Sequence, residues 1–112
     1  MNKYRNEPSA AFRYTFRSKA ERNHAFWLES ERQAGRIKEW IYEKSYELRV
    51  NGKLVGKIYP DFTIINNDES VQIHEVKSPI TKTDAWRIRS NLFQALYPDI
   101  PYKVIMKFRS WS

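Results

Sequence analysis

The sequence predicts an α+β (α/β) domain with the element order α-β-β-β-α-β. Three observations predict it. Ser18-Lys19-Ala20-Glu21 fits a capping box that opens a helix. Alternating residues flank Asn51-Gly52, a strong two-residue hairpin signal. A second helical stripe stops at Pro98, and a last alternating run follows it.

The elements read as follows. Residues 1–15 are polar, basic and unpatterned, and are expected to be a mobile arm ahead of one domain over residues 16–112. The first helix runs from Ser18 as N-cap to about Ala34, where Gly35 supplies a left-handed stop. Ile37 to Val50 reads as extended, with Tyr46, Leu48 and Val50 alternating against Glu47 and Arg49. The return strand spans Leu54 to Ile65. Asn66-Asn67-Asp68-Glu69 makes the next turn, and Val71 to Lys77 the third strand. The second helix starts at Thr83 or Asp84 and ends by Tyr97. Ile88, Leu92, Ala95 and Leu96 form its stripe, widened by Trp86, Phe93 and Tyr97. Tyr102 to Arg109 is the last strand.

At 112 residues the chain supports one core, and four Trp, seven Tyr and six Phe supply it. It has no cysteine, which excludes disulfides, thiolate metal sites and cysteine nucleophiles together. No apolar run approaches 18 residues and no signal-peptide core is visible, so a cytoplasmic protein is expected, with no membrane partner. The net charge of +7 is unevenly spread: +4 over residues 1–20, −1 over 21–77 and +4 over 78–112. A near-neutral centre between basic ends suits an acidic site with phosphate-gripping margins, although solvated surface charge gives the same total.

The chemistry concentrates in two apolar runs. Ile58-Tyr59-Pro60-Asp61-Phe62 carries one carboxylate; Ile73-His74-Glu75-Val76-Lys77 carries a carboxylate and an ammonium on one face, since strand side chains alternate. Charges are rarely buried unless paired or metal-bound. A turn at residues 66–69 pairs 65 with 70 and sets Asp61 against His74, whereas one more loop residue sets it against Glu75. Both registers bring the acids within reach of one ion. Mg²⁺ or Mn²⁺ held by Asp61, Glu75, the Val76 main-chain carbonyl and phosphate oxygens suits phosphodiester hydrolysis, with Lys77 orienting water or offsetting charge on phosphorus. Glu21 shares a helix face with Ala25 and Leu28. It either caps Ser18 or joins the site, directly or through a metal-bound water; beside the other three it is assigned a catalytic role. His24 and His74 lack metal-ligand spacing. Arg13, Arg17, Lys82, Arg87, Arg89, Lys103, Lys107 and Arg109 are candidate phosphate contacts, or solvated surface.

Phe16-Arg17-Ser18-x-x-Glu21, Tyr59-Pro60-Asp61-Phe62, Glu75-Val76-Lys77-Ser78 and the helix ending in Tyr97-Pro98 together resemble the PD-(D/E)XK nuclease superfamily. Within it they are similar to small phage-encoded nucleases and the phage junction-resolving endonuclease I type, over about residues 12–109. The resemblance implies a restriction-endonuclease-like core, a mixed sheet flanked by helices, Mg²⁺ or Mn²⁺ dependence and DNA cleavage. It assigns Asp61 and Glu75 as metal ligands, Lys77 as the catalytic lysine and Glu21 as the helical acid. The chain departs from it in being shorter than junction resolvases and in carrying Ser78-Pro79 where Gly commonly follows the lysine. The function expected is structure-selective cleavage of branched DNA, Holliday-junction-resolvase-like, in phage or mobile-element DNA metabolism, within the host cytoplasm. Symmetric junction cutting needs two sites, hence a homodimer, for which residues 1–15 offer a clasping arm. The alternative is a DNA-binding subunit that cuts only with a partner, as transposon end-cleaving subunits do, or not at all. A basic RNA-binding or host-inhibiting protein ranks last, since it needs no charges inside apolar strands.

Overall fold

The computed structural model describes residues 12, 14–78 and 83–106. It is an α+β structure in three layers, with a mixed sheet between a helix on one side and a hairpin plus second helix on the other.

The first layer is α1, Lys19–Gln33. Ser18 is extended, and its hydroxyl accepts from the Glu21 amide at 3.1 Å, the expected N-cap. Glu21, His24, Ala25 and Leu28 are its buried face, the i, i+3, i+4, i+7 stripe of an amphipathic helix. Gly35 ends it at φ +79°, a conformation that side chains with a Cβ rarely adopt.

The extended region before Asn51 divides into β1 (Glu39–Tyr42) and β2 (Tyr46–Val50), and the return run into β3 (Lys53–Ile58) and β4 (Phe62–Ile65). With β5 (Val71–Lys77) there are five strands before α2 (Asp84–Leu96), not three, and β6 (Tyr102–Met106) closes the order. The cause is a change of partner. Glu43 adopts φ +56° after β1, and its amide bonds the Asp61 carbonyl at 2.9 Å. Pro60, which has no N–H, separates β3 from β4. Each long segment thus gives one half to the β2–β3 hairpin and the other to the main sheet, ordered β1-β4-β5-β6. The hairpin turns at Asn51 (φ +51°) and Gly52 (φ +81°), both left-handed as Asn-Gly turns require.

Pairing of β1, β4 and β5 is antiparallel, whereas β5 and β6 run parallel with α2 in the crossover. Ile65 pairs with Val71 and Phe62 with His74. The loop is one residue longer than a turn at 66–69, because Asn66 and Ser70 form its closing backbone bond at 2.8 Å and Glu69 takes φ +74°. That extra residue moves Asp61 from His74 toward Glu75.

Each face of the sheet has its own core. Phe62, Ile64 and Val76 pack with Phe16, Ala25, Leu28, Trp40 and Tyr42 beneath α1. Phe12 and Tyr14, in the segment expected to be an arm, pack against this cluster. Ile73 on the other face packs with Leu48, Ile58 and Phe93. Of the expected α2 stripe, Phe93 is buried and Leu92, Leu96 and Tyr97 pack against this core, whereas Ala95 is exposed and Ile88 is 67% exposed; Ser90 is buried in addition. Phe93 packs on Tyr46, Tyr97 and Tyr102, which centres the docked face on its ring and leaves Ile88 outside it. Among the described residues, no helix is long and apolar enough to cross a membrane.

The two histidines meet under α1, at 2.9 Å between His24 Nε2 and His74 Nδ1. His74 Nε2 reaches Gln72 Oε1 at 3.2 Å; that carbonyl oxygen only accepts, so His74 Nδ1 accepts from His24. Burial, then the Lys103 charge, lowers the His74 pKa from 6.5 to about 4. The unfolded chain therefore takes up this proton first, and stability present above pH 6.5 is lost as pH falls toward 4. Relative to His74→Gln, wild-type urea midpoints should fall through that window. Equal pH slopes for the two proteins would refute this account.

Candidate active site

Asp61 stands where the chain re-enters the main sheet after Pro60, beside the C-terminal half of β5. Its amide donates to Glu75 Oε1 at 3.2 Å, and its Oδ2 accepts from the Val76 amide at 2.8 Å. The two acids, 1% and 2% exposed, therefore converge across neighbouring strands. Lys77, two residues beyond Glu75 on the same face, places Nζ 5.2 Å from the Trp86 ring centroid. These groups line one cleft of about 360 Å³, together with Arg17, Lys57, Tyr59, Trp86 and Arg89.

Burial is the largest cause that pushes the Asp61 carboxyl up to about 8, followed by the charges of Glu75 and Glu21. Burial and the neighbouring acids thus make the Asp61 carboxyl hold its proton more tightly than an exposed one. A bound cation would reverse that balance and release it. Glu75 is held differently: its Oε2 accepts from Tyr102 Oη at 2.6 Å and from Trp86 Nε1 at 3.2 Å.

Glu21 lies on the α1 side of this pair. Its Oε1 accepts from Tyr42 Oη at 2.5 Å, so the buried carboxylate is engaged well beyond its own helix end. Arg17 links the acids. Its Nη2 is 2.8 Å from Glu43 Oε2 and 3.3 Å from Asp61 Oδ1, and its Nε is 4.0 Å from Glu21 Oε1. Arg17, expected to contact DNA, here neutralises the acidic end of the cleft.

The donor set fits a hard divalent cation. Asp61 and Glu75 supply carboxylate oxygens, and the Val76 carbonyl points to the same side of its strand as the amide that bonds Asp61. Among the described residues, no three His, Cys, Asp or Glu side chains gather closely enough to enclose a metal. The fit is thus to an ion such as Mg²⁺, which keeps water and takes phosphate oxygens in its remaining positions.

Of the other expected phosphate contacts, Arg89 lines the cleft, Arg87 is exposed on α2 outside the lining, and Lys103 is exposed on β6 beside His74. Arg13, Lys82, Lys107 and Arg109 lie outside the described residues. Sequence reasoning missed Glu43, Lys57, Tyr42 and Tyr102, and placed Trp86 only in the helix stripe. Nothing local marks the first four. Trp86 carried a signal, since the first turn of a helix after the Glu-x-Lys strand faces that strand's end.

A family model described as a protein of unknown function (DUF1064) matches residues 1–112. No curated protein and no solved structure matches the chain.

Proposed function

The chain belongs to the DUF1064 family, and from its cleft we propose that it is a metal-dependent endodeoxyribonuclease acting on branched DNA. One observation carries this reading: two buried carboxylates from adjacent strands meet beside Lys77 in a cleft edged by cations. Asp61, Glu75 and the Val76 carbonyl would hold Mg²⁺ or Mn²⁺. When bound, such an ion polarises the scissile phosphate and acidifies a water. Lys77 orients the attacking water or offsets charge developing on phosphorus, and Trp86 keeps its ammonium at the cleft wall. Lys57 and Arg89 lie where flanking phosphates would pass. Glu21 fixes Tyr42 and, through Arg17, the charge balance at Asp61. Paired cutting of a junction calls for two such clefts, so a homodimer belongs to the proposal.

The test uses labelled four-way junction, linear duplex and single strands, with Mg²⁺ or EDTA. Wild type should cut the junction only with metal, and Lys77→Ala should cut on the order of 10²–10³-fold more slowly. Binding without cleavage under every metal would favour the partner-dependent subunit instead. No binding at low salt would sink both, because phosphate contacts are strongest there.

A further inference from the structure

Three donors from separate parts of the chain hold Glu75 in the cleft. Tyr102 and Trp86 donate to the same oxygen, Oε2, at 2.6 and 3.2 Å, while among the described residues Oε1 accepts the Asp61 amide alone, at 3.2 Å. A carboxylate offers about four lone-pair sites, so these three donors leave the fourth on Oε1, the oxygen beside Asp61. The two Oε2 donors come from separate elements, the first turn of α2 and the first residue of β6. Rotation of the carboxylate would break both at once. The Trp86 indole also lies against Lys77 Nζ at 5.2 Å, in cation–π range. One side chain therefore sets the position of both charged members of Glu75-Val76-Lys77.

We propose that Trp86 and Tyr102 are positioning residues that turn Glu75 Oε1 toward Asp61 as a single-oxygen cation ligand, with Trp86 also registering Lys77 against it. This rests on the nuclease reading above and adds residues that neither the Asp61 nor the Glu-x-Lys pattern contains. Hydrogen bonds that orient a metal ligand commonly change metal affinity or activity by about 10–100-fold when removed. A purely structural role would lower the melting temperature and leave the affinity alone.

The experiment is calorimetric titration of Mn²⁺ into the full chain as wild type, Trp86→Phe and Tyr102→Phe. Leu48→Ala, in the hairpin core, serves as a control for lost stability. Both Phe variants should keep the circular dichroism of the wild type and bind Mn²⁺ at least tenfold more weakly. Leu48→Ala, although less stable, should bind within twofold of wild type. Trp86→Phe retains a ring beside Lys77 and should lose affinity for metal more than turnover at saturating metal. Wild-type binding with both Phe variants within twofold of it overturns this inference alone. A wild type that binds no Mn²⁺ overturns the nuclease reading and this inference with it. A Leu48→Ala loss equal to theirs overturns the positioning role, since instability would then account for the effect.

Discussion

Asp61→Asn is expected to slow metal-dependent cleavage by on the order of 10³-fold while leaving the metal-free protein folded. Asn matches Asp in shape, and its carbonyl can still accept from the Val76 amide, which lies 2.8 Å from Asp61 Oδ2. It has no charge with which to hold a cation. The same substitution has a pH signature. Unfolded Asp61 titrates near 3.8, whereas burial and the adjoining acids push the folded group up to about 8. The native state therefore binds the extra proton between those values. Stability that is complete below pH 3.8 is lost as pH rises toward 8, and is fully lost above it. Asn escapes that loss. In EDTA, urea midpoints of Asp61→Asn should gain on the wild type between pH 5 and pH 9. Parallel profiles would disprove the crowding of acids, and near-normal cleavage by Asp61→Asn would remove it from the chemistry.

Phe62→Ala should carry the largest stability cost, about 4 kcal/mol, and lower the melting temperature by roughly 15–20 °C. Phe62 is 0% exposed, and its ring lies 5.3–6.5 Å from those of Phe16, His24, Trp40 and Tyr42. It joins α1 to the sheet one residue from Asp61, so the cavity also loosens the site. Ile88→Ala makes the contrast: at 67% exposed it should change stability by no more than about 0.5 kcal/mol. Thermal unfolding followed by circular dichroism measures both. Equal effects would mean that Ile88 is buried in the folded protein.

The ends of both helices were legible because capping is local. Ser18 and Thr83 each bond an amide three residues on, Gly35 takes a left-handed turn, and Pro98 ends what precedes it. The same holds for Asn51-Gly52, and for Glu75 and Lys77 sharing a face. Each depends on a handful of neighbouring residues, and no other part of the chain can override it cheaply.

The rest depended on partners far along the chain. Alternation continues unbroken when a strand changes sheet, so Glu43 and Pro60 divided segments that read as continuous. One additional loop residue decided that Asp61 faces Glu75 rather than His74. Tyr102 and Trp86 reach Glu75 only because α2 carries the chain over to a parallel β6. The sequence by itself determined which residue types are available and how each short stretch folds, since those energies are set within a few residues. Only the tertiary structure decided which carboxylates are buried together and which donors hold them, because burial and charge crowding come from segments tens of residues apart packing into one interior.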